Sequence, residues 1–325
     1  MARVGAPGTL PALHRGLSLA LVCLCAAAAC GDRAAAPPVA AAAAATADFD
    51  GARAFKDLEA LVELGPRPAG SEGAAQARAL IRERLKQAGW RVETHDFSVP
   101  RPGASAVAMT NLIAHRGSAS GPHTLLITHY DTKNIPGMKF VGANDGASGV
   151  AVLLELARVT AADPGSAQLE LVFFDGEEAF GKNIDQNDGL YGSKALAERM
   201  AKDGSLAQVK AIVLVDMVGD SDLNLATDLR SAPELRKAFE AAAARLGLPP
   251  PFDPAQEMGV IDDHTPFQEH GVEQALALID FQYGSRRSPG PRWHTASDTL
   301  DAVSAQSLDR VGKILVEMLR RPEHG

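Results

Sequence analysis

The sequence predicts an α/β fold, a three-layer αβα sandwich around a central mixed, mostly parallel sheet. Two patterns carry this. From Phe49 onward, segments with apolar residues at helical spacing alternate with short apolar runs of strand length, the order expected of strands joined by covering helices. Several runs, such as "LELVFF" and "KAIVLV", read as strands buried in the middle of a covered sheet rather than lying at a solvated face. Length agrees, because 325 residues with 46% hydrophobic and 22% charged side chains suffice for one large domain with a full core.

The elements follow in order. "GARAFKDLEALVEL" (51–64) is an amphipathic helix, "GPRPAGSEG" breaks it, and "AAQARALIRERLKQAG" (74–89) is a second helix stopped by Gly89. "RVETHDFSV", "TNLIAH" and "HTLLITHY" are strand-like, separated by Gly and Pro, and the first strands are free to run antiparallel. Helix and strand then alternate through "GASGVAVLLELARVTAA", "LELVFF", "LYGSKALAERMAK", "KAIVLVDMVG", "APELRKAFEAAAARLG" and "QALALID", and "SAQSLDRVGKILVEMLR" closes the domain as a helix. There is no internal repeat.

Ahead of this domain, residues 1–29 read as an export signal: Arg3 and Arg15, then an apolar run too short to span a bilayer and ending in small residues. "AAAC" before Gly31 resembles a bacterial lipobox, which would lipidate Cys30 and leave an envelope lipoprotein facing the periplasm or cell exterior; the alternative is an ordinary signal cut near Ala29. Residues 30–48 are Ala/Pro-rich and read as a tether, and 49–325 as the catalytic domain. Cys23, Cys25 and Cys30 are the only cysteines, so the exported domain has no disulfide and no thiol ligand or nucleophile. A formal net charge of -8 without a Lys/Arg cluster argues against nucleic acid as a partner.

In doubly covered sheets, ligands bind outside the carboxyl ends of the strands. The residues of chemical interest gather there. His129 and Asp131 follow "TLLIT", Glu177 and Glu178 follow "LELVFF", Asp216 follows "AIVLV", and His294 lies in the loop after "ALALID". Asp145 sits in the Gly-rich turn "VGANDGASG" that leads into a helix. A lone "GEE" or "HYD" is ordinarily a solvated turn, but buried carboxylates at strand ends are costly unless paired or bound to a metal. Histidines and carboxylates without cysteine suit catalytic zinc; magnesium takes histidine poorly. Of the adjacent Glu177 and Glu178, one can bind metal while the other faces the reacting group as a base. Asp131 is placed to orient the His129 ring from behind. No G-x-S-x-G, P-loop or G-x-G-x-x-G occurs.

"HYDTK", "FVGANDGASGVAVLLELAR", "LVFFDGEEAF", "DGLYGSKALA", "DDHTPF" and "WHTASDTLD" together resemble the M28 zinc peptidases, with their phosphorylase/hydrolase-like fold, and among them the glutaminyl-peptide cyclotransferases, from about Phe55 to the end. The resemblance implies Asp145, Glu178 and His294 as ligands of one zinc and Glu177 as general acid/base. In the two-zinc aminopeptidases, Asp145 would bridge to a second ion held by His129 and Asp216. The cyclases carry those extra positions and are described as using one zinc. On the cyclase side, Asp216 and Asp262 would act with Glu177 on the amine of the substrate, and Trp293 would wall the substrate pocket or serve as core packing. The cyclase pattern pairs Asp262 with a histidine in the following strand, where this chain has Ala277.

Three functions stay open at this point. A cyclase would close N-terminal glutamine of peptides to pyroglutamate with one zinc. An aminopeptidase would hydrolyse the first peptide bond with two. A binding module would keep the fold without the chemistry, which the complete ligand set disfavours.

Overall fold

A computed structural model of the chain describes residues 48–101, 103–116, 121–163 and 168–321. The expected leader, Cys30 and the tether up to residue 47 lie outside the described residues.

Helix α1 (Gly51–Glu63) begins where the Asp50 carboxylate accepts hydrogen bonds from the main-chain N–H groups of Ala52 and Arg53. Helix α2 (Glu72–Gln87) starts two residues before its apolar pattern does, because Ser71 caps it by accepting from the Ala74 N–H. The chain then builds β1 (Arg91–Arg101), β2 (Ala104–His115), β3 (His123–His129), α3 (Ala147–Thr160), β4 (Leu169–Phe174), α4 (Tyr191–Asp203) and β5 (Val209–Asp216). After these come β6 (Leu225–Asp228), α5 (Pro233–Arg245), β7 (Phe252–Met258), α6 (Thr265–Glu269), β8 (Ala275–Ile279) and α7 (Ala305–Arg320).

The main sheet has the order β1-β2-β4-β3-β5-β8. Strands β4, β3, β5 and β8 are parallel, and β2 pairs antiparallel with both β4 and β1. Side-chain alternation sorts its core into two layers. Leu126, Leu171, Phe173, Val213, Val215, Leu276 and Leu278 face α1, α2, α3, α5 and α7. Leu125, Ile127, Val172, Phe174, Ile212, Leu214 and Ala277 face α4 and Phe267 of α6. The predicted three-layer, mostly parallel arrangement is the one observed.

Helix α3 is buried along all of its length except Arg158. Gly149 makes that approach possible: a Cβ there would overlap the Val215 carbonyl oxygen and the Thr128 hydroxyl. Gly149→Ala is therefore expected to push α3 off β3 and β5 and cost about 1–3 kcal/mol, read as a lower midpoint in thermal unfolding.

Three elements exceed the sequence reading. β6 and β7 form a separate two-stranded parallel sheet, and α6 is a single short helix. Strand β6 is only "LATD" and β7, "FDPAQEM", contains proline and mixed polarity, so neither shows a strand period. β2 also begins at Ala104 rather than Thr110, where its largely exposed residues pair with β1.

Candidate metal centre and active site

The connection from β3 through α3 leads to β4 on one side, whereas β5 leads towards β8 on the other. The carboxyl ends of β3 and β5 therefore flank the point where strand order reverses, and a crevice opens there. His129 ends β3 and Asp216 ends β5. Adjacent strands thus bring His129 Nε2 within 3.1 Å of Asp216 Oδ1.

Asp145 enters from the loop before α3. Its two oxygens serve two neighbours, with Oδ1 3.3 Å from His129 Nε2 and Oδ2 3.3 Å from His294 Nε2. Glu178, just beyond β4, brings Oε1 within 3.1 Å of the same His294 nitrogen. Two donor triads result, His129/Asp145/Asp216 and Asp145/Glu178/His294, and the donor atoms of each lie within 4.8 Å of one another. All the metal-ligand candidates read from the sequence meet here, and Asp145 is common to both triads.

Main-chain hydrogen bonds hold the loops. Asp298 accepts from the N–H groups of Asn144 (2.7 Å) and Asp145 (3.1 Å), and the Tyr283 hydroxyl donates to it at 2.6 Å. Asp131 accepts from the N–H groups of Glu177 (3.1 Å) and Glu178 (3.3 Å). It also lies 3.5 Å from His129 Nδ1, the long limit for orienting the ring. Its expected role behind His129 is thus the smaller part of what it does; it chiefly pins the Glu pair. Gly146 at φ 92° brings the turn against β3, and a Cβ there would sit 2.6 Å from the Asp131 carbonyl oxygen and 3.1 Å from His129 Cε1. Lys133 donates to the Ala179 carbonyl at 2.8 Å and stands 3.4 Å from Glu178 Oε2.

Asp298, Tyr283 and Lys133 were not singled out from the sequence. Asp298 and Lys133 lie inside "WHTASDTLD" and "HYDTK", so the motifs contained them, but only the fold shows what they hold.

The charge balance suits a dication. Asp131, Asp145, Glu177, Glu178, Asp216 and Asp262 are all buried. Burial, then the neighbouring carboxylates, push the Glu177 and Asp262 pKa values well up, with His129 opposing in both. Burial lowers the His294 pKa, but hydrogen bonds with Asp145 and Glu178 outweigh it and bring the value to about 10. His129 is likewise raised against burial, chiefly by the Asp216 charge. Among the described residues, His129 Nδ1 is buried without a hydrogen-bond partner, with Asp131 Oδ1 3.5 Å away. Two imidazole nitrogens aimed at shared carboxylates, with no thiol, make a donor set that fits zinc.

A pH dependence follows. A group held protonated more firmly in the folded chain stabilises it below the unfolded pKa and loses that contribution as pH rises through the folded value. For His294 without metal the window runs from 6.5 to about 10, and the raised Glu177 and Asp262 act with the same sign. Zinc displaces those protons, so its stabilisation should grow with pH. The shift in melting temperature on adding zinc is expected to be larger at pH 8.5 than at pH 6.5, and an equal or smaller shift contradicts the charge balance described above.

Trp293 stacks on His294, with ring centroids 3.9 Å apart. It also packs against a small core of Met217, Val260, Ile279, Tyr283 and Ala302, so it both supports the core and borders the site. With Lys133, Ile135, Phe180, Lys182 and His294 it lines a cleft of about 440 Å³. Residues 181–183 form one wall, and Asp188 ties the base of that loop by accepting from the N–H groups of Phe180 and Gly181. Asp262 stands close enough to Asp216 and Glu177 for the Asp216 charge to raise its pKa and for its own charge to raise that of Glu177. Among the described residues no histidine bonds Asp262; Ala277 is buried in β8 and its N–H donates to Ser231 Oγ. His264 stays outside the site, 3.7 Å from Asp228, and burial pulls its pKa to about 4.

Comparison with known proteins places the chain in a family. Residues 111–319 match Peptidase family M28. A glutaminyl-peptide cyclotransferase of Bothrops jararaca is 33% identical over 297 residues, covering 78% of this chain and 76% of its own. The crystal structure of an Acidobacteriales bacterium glutaminyl cyclase is 38% identical, covers 84% of this chain and 94% of its own, and superposes with a TM-score of 0.77. A Zn-dependent exopeptidase from Parabacteroides distasonis, 22% identical over 85% of this chain and 100% of its own, shares the fold with a TM-score of 0.74. By the extent of the M28 match and by its likeness to these relatives, the chain belongs to peptidase family M28, on its glutaminyl-peptide cyclotransferase side.

Proposed function

We propose that the chain is a zinc-dependent glutaminyl-peptide cyclotransferase, closing N-terminal glutamine of peptides to pyroglutamate with release of ammonia. The observation that carries this reading is Glu177: its carboxyl is buried beside both donor triads, and its side chain makes no hydrogen bond among the described residues. It is therefore free to meet a substrate, and burial, which raises its pKa, favours a carboxyl that can both take and return a proton. The cyclotransferase relatives favour this chemistry over hydrolysis.

Asp145, Glu178 and His294 would hold zinc, which as a Lewis acid polarises the γ-amide carbonyl of the substrate. Asp216 and Asp262 face the α-amine and hold it near the amide carbon, so attack is intramolecular and much of the rate comes from position. Glu177 takes a proton from that amine as the N–C bond forms, then delivers it to the departing amide nitrogen, which leaves as ammonia. Trp293 walls the cleft against the glutamine side chain. Trp293→Ala is expected to raise KM about tenfold through loss of about 1.5 kcal/mol of apolar contact, with a smaller fall in kcat. An unchanged KM in steady-state kinetics would assign Trp293 to the core alone.

A second reading is favoured by one observation, the complete His129/Asp145/Asp216 triad. With a second zinc there, the site would suit an aminopeptidase. Against it stand the cyclotransferase relatives, which favour ring closure over hydrolysis, so we favour the one-zinc cyclase. Zinc content of the active protein, measured with ammonia release from Gln-Ala and from its N-acetylated form, tests the reading. One zinc per chain and ammonia only from the free amine are expected. Two zinc ions without ammonia release would establish the alternative.

A further inference from the structure

"GPRPAGSEG" reads in the sequence as a helix-breaking turn, yet it places a fully buried arginine beneath the site. Arg67 is 0% exposed, and among the described residues its guanidinium bonds only main-chain carbonyls. Nε donates to Tyr130 O at 3.0 Å, Nη1 to Val141 O at 2.7 Å and Nη2 to Gly142 O at 3.1 Å. Nη1 also donates to Leu61 O (3.3 Å) and Gly65 O (3.2 Å), at the end of α1. Its main chain is locked as well, since the Arg67 N–H donates to Thr132 Oγ1 at 2.9 Å and the Thr132 N–H donates to Arg67 O at 3.2 Å.

The segments it joins are those that carry donors. Tyr130 lies between His129 and Asp131, and Gly142 lies three residues before Asp145. One planar fork spans both, with a fixed spacing that a single ammonium lacks. Burial draws the Arg67 pKa down to about 10, while the charges of Asp298, Asp131 and Asp145 oppose this, so the group stays cationic at neutral pH. Those three carboxylates are the ones that position the Asn144–Asp145 turn, pin the Glu pair and join the two triads. A structural arginine would serve to bond carbonyls anywhere in the core; this one adds its charge under the carboxylates that need it.

We propose that Arg67 is a positioning residue for the metal cradle: it fixes the end of β3, bearing His129 and Asp131, against the 141–145 loop bearing Asp145, and thereby sets the affinity for zinc. The inference rests on the zinc reading above but not on which reaction the zinc serves.

The test is zinc affinity by chelator competition, without substrate, beside the melting temperature of the metal-free protein. Arg67→Lys keeps the charge and loses the fork, and is expected to weaken zinc binding about 10–100-fold, the usual cost of removing a partner that orients ligands. Leu315→Ala, a cavity on the buried face of α7, a helix that carries none of the donor residues, controls for stability: it should lower the melting temperature yet bind zinc with native affinity. Native affinity in Arg67→Lys overturns the proposal, as does an equal loss in Leu315→Ala. Should Arg67→Lys fail to fold, Thr132→Val decides, because it loosens the same clamp isosterically; a weaker affinity supports the proposal and a native one overturns it. If the protein binds zinc natively but makes no pyroglutamate, the cyclase reading fails and this one stands.

Discussion

Glu177→Gln is expected to lower kcat by about 10²–10⁴-fold while leaving zinc content at the native level, the range that general acid–base groups supply. The substitution keeps the shape of the side chain and removes its ability to take a proton. Zinc should stay because the Asp145/Glu178/His294 triad does not include Glu177, and the Glu177 N–H still donates to Asp131 at 3.1 Å. Removing one of several crowded, buried carboxyls also relieves repulsion with Glu178, Asp262 and Asp263, so the metal-free variant is expected to be at least as stable as the parent. Steady-state kinetics, zinc analysis and a melting curve on one preparation check all three outcomes. Activity within a few-fold of native would remove Glu177 from the proton shuttle.

Asp145→Asn is expected to have the larger effect on metal, since Asp145 alone belongs to both triads. Its Oδ1 and Oδ2 each stand 3.3 Å from a histidine nitrogen, and an amide offers one oxygen and no charge. Zinc affinity should fall by more than the roughly 10–100-fold seen on losing an orienting partner. His294→Ala removes a donor of the Asp145/Glu178/His294 triad and is expected to lose the zinc as well. Residual zinc at native affinity in Asp145→Asn, by competition with a chelator, contradicts the shared-ligand geometry.

Much of this site was legible in the sequence because strand ends are legible. "TLLITH" and "AIVLVD" announce where β3 and β5 stop, and a parallel sheet forces the residues at those stops, His129 and Asp216, to lie side by side. Glu177 and Glu178 follow from the same logic at β4. What the sequence left obscure depends on contacts between distant segments. Asp298 holds the Asn144 and Asp145 main chain across more than 150 positions, and Arg67 reaches carbonyls more than 70 positions away; neither carries a periodic signal. Trp293 presented two readings that the fold reconciles, since its ring stacks on His294 and also packs against the Met217 cluster. β6 and β7 stayed hidden because a strand of four residues and one containing Pro254 lack the alternation that marks a half-buried strand.

The central claim is that this buried cradle serves ring closure rather than hydrolysis, and the product of one peptide tests it most directly. Incubating the zinc-loaded protein with Gln-Ala and resolving the products by mass spectrometry should give a single species, the intact dipeptide lighter by one ammonia. Free glutamine and alanine in its place would contradict the account and make the chain a metallo-aminopeptidase of the same fold.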